Sequence, residues 1–168
     1  AGAVSVSASD IDADGDIDVL AAAADDDTVA WFENDGLQNF TMKVVTDTAD
    51  GAAHVHLADV DRDGDVDIVV ASSLDDSITW FANDGVGTFS PQPITSNAGG
   101  VTDVTVADLD RDGDWDLVSA NSDDNIVAWY ENDGNQVFSP HMITVNAGGA
   151  SAAAVADIDF DGRPDVAW

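Results

Sequence analysis

Short stretches of alternating apolar and polar residues, parted by clusters of Asp, Gly and Asn, set the rhythm of this chain. Val6 and Ala8 alternate with Ser5 and Ser7, Val55 and Leu57 with His54 and His56, and Val104 and Val106 with Asp103 and Thr105. A period of two is the mark of a strand with one face turned inward. An Asp-rich segment follows each of these strands, and then a short apolar run at 17–23, 66–71 and 115–120. After a second Asp-rich turn, residues 25–27 in the first copy, a third strand carries a Trp beside another aromatic at 29–32, 78–81 and 126–130. Asn-Asp-Gly then supplies residues that tolerate positive φ in a tight hairpin. A fourth strand begins near Phe40, Phe89 and Phe138 and runs through Val44 and Val45, Ile94, or Ile143. No stretch sustains a helical period.

The pattern is an internal repeat. Asp10-Ile-Asp-Ala-Asp-Gly-Asp-Ile-Asp18 returns from Asp59 to Asp67, from Asp108 to Asp116 and from Asp157 to Asp165, each time 49 residues on. Trp31, Trp80 and Trp129 keep the same step, as do the three Asn-Asp-Gly turns and the three Phe residues. Four strands in 49 residues is the size of a propeller blade; a stacked array of sheets is the competing geometry. The expected fold is all-β, with propeller-type blades of four antiparallel strands in three full repeats and a partial fourth. One repeat domain is expected over 1–168, with blades at about 1–49, 50–98 and 99–147 and a partial blade at 148–168.

The Asp-rich loops carry the candidate chemistry. Ca²⁺ takes six to eight oxygens at ~2.3–2.6 Å in a forgiving geometry. Carboxylates at loop positions 1, 3 and 5 converge when the chain curls, and Gly at position 6 permits the reversal. Position 7 offers its backbone carbonyl, and Asp at position 9 closes the shell. The expected ligands are Asp10, Asp12, Asp14, Asp16 and Asp18; Asp59, Asp61, Asp63, Asp65 and Asp67; Asp108, Asp110, Asp112, Asp114 and Asp116; and Asp157, Asp159, Asp161, Arg163 and Asp165. Asp16, Asp65, Asp114 and Arg163 contribute only their carbonyls, so an Arg is acceptable there, while Pro164 alters the last loop. EF-hand spacing puts its closing Glu at position 12 and enters a helix; these loops enter a strand. Mg²⁺ suits them less, because it demands strict octahedral geometry and holds its waters. About one Ca²⁺ per loop is expected, four in all.

Composition sharpens this picture. The chain has 34 acidic and four basic residues and a formal charge of −30. A compact fold of that charge repels itself unless cations or a saline medium offset it. Phosphate backbones need clustered Lys and Arg, so neither nucleic acid nor an anionic membrane surface is expected as a partner. No apolar run approaches the ~20 residues of a membrane span. Cys is absent, which excludes disulfides and thiolate sites. The chain begins at Ala1 rather than Met, as a processed or excised piece would.

The Asp-x-Asp-Gly-Asp-x-Asp core, followed by Trp-Phe-x-Asn-Asp-Gly and a Phe, resembles FG-GAP/VCBS-type repeats over essentially the whole chain. Such repeats build the propeller of integrin α chains and occur in secreted bacterial proteins, including lectins and polysaccharide-active enzymes. The resemblance implies Ca²⁺ on Asp10, Asp12, Asp14 and Asp18 and their counterparts, an extracellular setting, and a structural, binding or adhesion role. Closed propellers of that family usually have seven blades, whereas this chain supplies about three and a half. Two copies hold about seven repeats, so self-association or further blades of a longer chain is expected, as a ring or an open filament. A glycan or a protein is the expected ligand class; a lectin-like module, or the non-catalytic part of a polysaccharide-active enzyme, is the alternative.

Other residues say less. His54 and His56 share a strand face and could hold a transition metal, but no ligand ring repeats at their equivalents, and polar lining is the expectation. Trp31, Trp80 and Trp129 are expected between blades rather than on sugars. Trp115 takes a variable position, and His141 stands alone. There is no G-x-S-x-G, no Cys nucleophile and no repeated His beside a Ser. Paired carboxylates lose their value as a glycosidase signal when metal loops explain them, so no catalysis is expected.

Overall fold

Alternating stretches bounded by Asp, Gly and Asn fold as strands, and the hairpins between them are short enough to pair neighbours in order. The computed structural model describes residues 2–168. The first sheet pairs β1 (Ala3–Ser9), β2 (Asp18–Ala23), β3 (Thr28–Asn34) and β4 (Phe40–Thr46) in chain order, all antiparallel. The second sheet repeats it with β5 (Ala52–Ala58), β6 (Asp67–Ser72), β7 (Ser77–Asn83) and β8 (Phe89–Thr95). The third holds β9 (Val101–Ala107), β10 (Asp116–Asn121), β11 (Ile126–Asn132) and β12 (Phe138–Thr144). A two-stranded ribbon of β13 (Ala154–Ala156) and β14 (Asp165–Ala167) ends the chain. The only helical piece among the described residues is a 3₁₀ turn, Ala24–Asp26. The fold is all-β, three full four-stranded blades and a partial fourth.

Each blade is a sandwich filling between its neighbours. Leu20, Ala22, Val29 and Trp31 on one face of the first blade meet Val55, Ile68, Val70 and Phe81 of the second, all buried. Val69, Ala71, Ile78 and Trp80 on the other face of the second blade meet Val104, Leu117 and Tyr130 of the third. Both faces of a central strand are therefore apolar, which is why every residue of β6 and β10 is buried. A third, smaller core joins Val118, Ala120 and Val127 to Ala147, Ala150 and Val155.

Clamps between consecutive blades recur with the repeat. Asp27, Asp76 and Asn125 adopt left-handed backbone, φ 54°, 58° and 57°. Their side-chain Oδ1 atoms accept the N–H of Gly51, Gly100 and Gly149 at 3.0, 2.8 and 3.1 Å. Their carbonyls accept the N–H of Ala49, Ala98 and Ala147. Asp and Asn tolerate this conformation better than most residues, so the turn after each second strand fixes how the next blade starts.

The last repeat is shorter than its sequence suggests. A partial blade is expected over 148–168, and strand pairing within it covers only Ala154–Ala156 and Asp165–Ala167. A ribbon with no third strand beside it is marginal, and Ala147 and Ala150 are instead drawn down onto the third blade.

Candidate metal centres

Each Asp-rich loop leaves a first strand, reverses, and enters a second strand. Two residues make the reversal. Gly at position 6 has φ of 98°, 103°, 103° and 85° (Gly15, Gly64, Gly113, Gly162), and position 4 is left-handed as well: Ala13 at 59°, Arg62 at 63°, Arg111 at 69° and Phe160 at 62°. Non-glycine residues in that region carry a cost of about 1 kcal/mol or more each, and four identical instances mean the loop imposes it.

The curl gathers carboxylates. Asp10, Asp12 and Asp18 bring ligand oxygens within 4.8 Å of one another, and so do Asp59, Asp61 and Asp67; Asp108, Asp110 and Asp116; and Asp157, Asp159 and Asp165. Positions 1, 3 and 9 are thus together in all four loops. Position 5 stands outside these groups: Asp14, Asp63, Asp112 and Asp161 accept the N–H of Asp16, Asp65, Asp114 and Arg163 at 2.8–2.9 Å. At position 1, Asp10, Asp59 and Asp157 each accept the N–H of the position-6 glycine at 3.0–3.1 Å.

The Asp at position 9 is the anchor. Asp18, Asp67 and Asp116 are fully buried. One oxygen of each accepts the N–H of position 2 (Ile11, Val60, Leu109) at 2.9–3.0 Å. The other accepts the N–H of Asn34, Asn83 or Asn132 at 2.8–2.9 Å. The Asn side chains donate in turn to the carbonyls of Ile17, Val66 and Trp115. In this way the loop and the Asn-Asp-Gly hairpin become one unit. The position-7 side chain reaches the same hairpin: a Cβ on Gly36, Gly85 or Gly134 would lie 2.4–2.6 Å from a carboxylate oxygen of Asp16, Asp65 or Asp114. Sequence reasoning assigned Asn-Asp-Gly only to turn formation and missed this coupling. The common 49-residue step of the loop and the hairpin was its only trace.

A cation fits this donor set. Asp12 Oδ1, Asp59 Oδ1 and Asp108 Oδ1 are buried and have no hydrogen-bond donor, and a buried carboxylate oxygen left unpaired is costly. Burial pushes Asp67 up to about 6, against the backbone N–H groups of Asn83 and Val60 that pull it down. Burial likewise raises Asp116, Asp61 and Asp12, and Asp12 is raised further by Asp14, Asp18 and Glu33. Burial is the main cause of each shift, because a carboxylate removed from water favours its neutral form. All-oxygen carboxylate sets suit hard cations rather than Zn²⁺ or Cu²⁺.

The profile of the FG-GAP-like repeat matches three times, at residues 10–70, 61–119 and 108–168. The chain belongs to the FG-GAP-like repeat family. No curated protein sequence matches it. Among solved structures it is similar to an Agrocybe aegerita lectin described by its specific recognition of non-reducing terminal N-acetylglucosamine, with TM-score 0.65 and 21% identity. The alignment covers 96% of this chain and 46% of the lectin, so the chain spans about half that protein's length.

The remaining residues fall as follows around the FG-GAP loops. Trp31 and Trp80 are core between blades, whereas Trp129 is half-buried and stacks on His141 at 4.7 Å. His141 Nε2 lies 2.7 Å from Glu131. Trp115 is covered by the Arg62 guanidinium, 5.1 Å from its ring centroid. His54 Nδ1 lies 3.1 Å from Asp103 Oδ1 on the next blade, and burial and the charge of His54 lower His56, partly offset by Asp103. The carboxylate groupings of the described residues involve neither histidine.

Two clefts open along the seams on the side away from the loops. One of about 280 Å³ is lined by Thr46, Ser72, Ser77, Thr79, Phe81 and Pro91. The other, about 300 Å³, is lined by Thr95, Asn121, Ile126, Ala128, Tyr130 and Pro140. The six residues named for the second stand 49 residues on from those named for the first, with Ile126 and Ala128 in place of Ser77 and Thr79. Burial raises the Tyr130 phenol, partly offset by hydrogen bonding with Ser119, Asn121 and Thr95.

Proposed function

We propose that this chain is an extracellular, non-catalytic binding module whose four loops each hold one Ca²⁺. The observation that carries the reading is the convergence of positions 1, 3 and 9 with a buried carboxylate oxygen left without a donor in three of the loops. The residues that would hold the ion are Asp10, Asp12 and Asp18, Asp59, Asp61 and Asp67, Asp108, Asp110 and Asp116, and Asp157, Asp159 and Asp165, with Asp14, Asp63, Asp112 and Asp161 close enough in sequence to join. Bound Ca²⁺ supplies positive charge where carboxylates crowd, and its binding free energy adds to folding. Two charges per ion still leave a strongly acidic surface, which suits an extracellular medium rich in Ca²⁺ and salt; such modules function with Kd of roughly 10⁻⁴–10⁻³ M. Calorimetric titration of chelated protein tests this: about four sites per chain are expected, and each Asp-to-Asn change at position 9 removes one.

A glycan is the ligand class this reading favours. Its support is the pair of seam clefts, which repeat with the blades and combine an aromatic wall with hydroxyl and amide groups, a lining suited to small polar ligands. The similarity in fold to a lectin is consistent with that choice. Titration with N-acetylglucosamine, alone and at the end of an oligosaccharide, is the probe; binding that falls on Phe81→Ala and Tyr130→Ala supports the clefts, and no binding of either sugar removes that sugar from consideration.

A further inference from the structure

The Asp-rich loops of the first and second blades are joined by a continuous run of buried hydrogen bonds. Asp18, which closes the first loop, accepts the N–H of Ile11 on Oδ2 at 3.0 Å. The carbonyl of Ile11 accepts the side-chain amide of Asn83 across the seam at 2.8 Å. The backbone N–H of Asn83 donates to Oδ1 of Asp67, which closes the second loop, at 2.8 Å. Asp67 Oδ2 then takes the N–H of Val60 at 2.9 Å. Asp18, Ile11, Asn83 and Asp67 are each 5% exposed or less, so water does not replace a bond that is lost.

Both ends of the run are proposed ligands. Asp18 stands with Asp10 and Asp12, and Asp67 with Asp59 and Asp61, in the first two carboxylate groups. In the middle, the Ile11 carbonyl shares its peptide group with Asp12, whose buried Oδ1 has no donor. Ordering Asp12 about an ion therefore fixes the acceptor of the Asn83 amide, and Asn83 in turn positions Asp67. The next seam lacks this relay. Asn132 repeats the bonds of Asn83 within its own blade, with its backbone N–H on Asp116, its amide on Trp115 and its Oδ1 on the N–H of Gly134. Among the described residues it makes no bond to Val60, the equivalent of Ile11. What crosses that seam is the Arg62 guanidinium over the Trp115 ring, a contact outside any such run.

We infer that Asn83 couples the first two Asp-rich loops, so that Ca²⁺ in the first tightens Ca²⁺ binding in the second, while the third binds without that help. The inference rests on the calcium reading of the loops. An empty loop holds crowded carboxylates that repel one another, and ordering it subtracts from the affinity of the ion that binds. The first ion orders the Ile11–Asp12 peptide for both loops, because a single run of hydrogen bonds serves both. Linkage makes the effect reciprocal: an ion in the second loop strengthens the first by the same factor.

A Ca²⁺ titration followed by nuclear magnetic resonance tests it, reading the amides of Gly64 and Gly113 at position 6 of the second and third loops. It is run in about 0.15 M salt, where repulsion between ions is screened beyond about 8 Å. Asp12→Asn disables the first loop while keeping an oxygen in place. The Ca²⁺ midpoint at Gly64 is expected to rise about fivefold or more relative to that at Gly113, whereas a general loss of folding moves both alike. Asn83→Asp keeps the acceptor for the N–H groups of Gly85 and Gly87 and removes the amide donor. In that background Asp12→Asn is expected to move Gly64 no more than Gly113; in an Asn132→Asp background the difference is expected to persist. Equal midpoints at Gly64 and Gly113 after Asp12→Asn, a difference that survives Asn83→Asp, or one lost equally in Asn132→Asp would each overturn the relay. The first comparison needs no change at Asn83, so it decides the coupling even where Asn83→Asp does not fold. Loops that respond to Ca²⁺ without the difference leave the calcium reading standing, whereas amides that Ca²⁺ moves in no loop sink both.

Discussion

Asp67 holds Asn83 in place: its Oδ1 accepts the Asn83 backbone N–H at 2.8 Å while its Oδ2 accepts that of Val60 at 2.9 Å. One buried carboxylate thus ties an Asp-rich loop to the hairpin sixteen residues further on, and Asn83 carries the tie across the seam to Ile11.

Asp67→Ala leaves two buried N–H groups unpaired, each costing about 1–3 kcal/mol. A loss of roughly 2–6 kcal/mol is expected from that sum, measured by urea unfolding in Ca²⁺. Asp63→Ala, at an exposed position whose carboxylate takes only a local N–H, is expected to cost much less. Equal losses would mean that position 9 has no special role.

The acid response of the metal-free protein has a definite sign. Burial raises Asp67 from 3.8 to about 6 in the folded state, so folding favours its protonated form. That contribution is complete below 3.8 and is lost as pH rises through about 6. Asp12, Asp61 and Asp116 shift in the same direction. Chelated protein is therefore expected to lose stability between about pH 4 and pH 7. With Ca²⁺ the order reverses, because the ion binds the ionised form. Urea melts at the two pH values, with Ca²⁺ and with chelator, read the crossover.

Two glycines separate conformation from contact. Gly64 has φ of 103° with nothing within 4 Å of an added Cβ, whereas at Gly85, φ 80°, a Cβ would sit 2.6 Å from an Asp65 oxygen. Gly64→Ala is expected to cost about 1–2 kcal/mol from the left-handed backbone alone. Gly85→Ala is expected to cost more, as the Asp65 carboxylate must move. Thermal melts of the two variants give the order.

The legible part of this protein was whatever the repeat printed three or four times. Strand order, the loops and the core Trp positions follow from a 49-residue step, since one supersecondary unit solved once is solved in every copy. The buried role of Asp18, Asp67 and Asp116 was not legible, because spacing marks a carboxylate as a ligand without saying what else its oxygens accept. The seam clamps at Asp27, Asp76 and Asn125 were hidden for a similar reason: they bond to glycines 24 residues on, beyond any local pattern. Trp129 shows where a repeat misleads, since equal sequence position did not mean equal burial: it is half-buried and stacks on His141, while Trp31 and Trp80 are core.

That inequality is testable. Trp80, 2% exposed, is expected to cost about 3–5 kcal/mol on change to Ala. Trp129, half-buried, is expected to cost clearly less. Urea unfolding of the two variants in Ca²⁺ compares them.

The most direct measurement is the thermal midpoint with Ca²⁺ and after chelation, followed by circular dichroism. Each site held at 100-fold its Kd adds about 2.7 kcal/mol to folding, so a rise of many degrees in Ca²⁺ and loss of β structure on chelation are predicted. A midpoint unmoved by Ca²⁺ would contradict the account and leave the four loops as solvated turns.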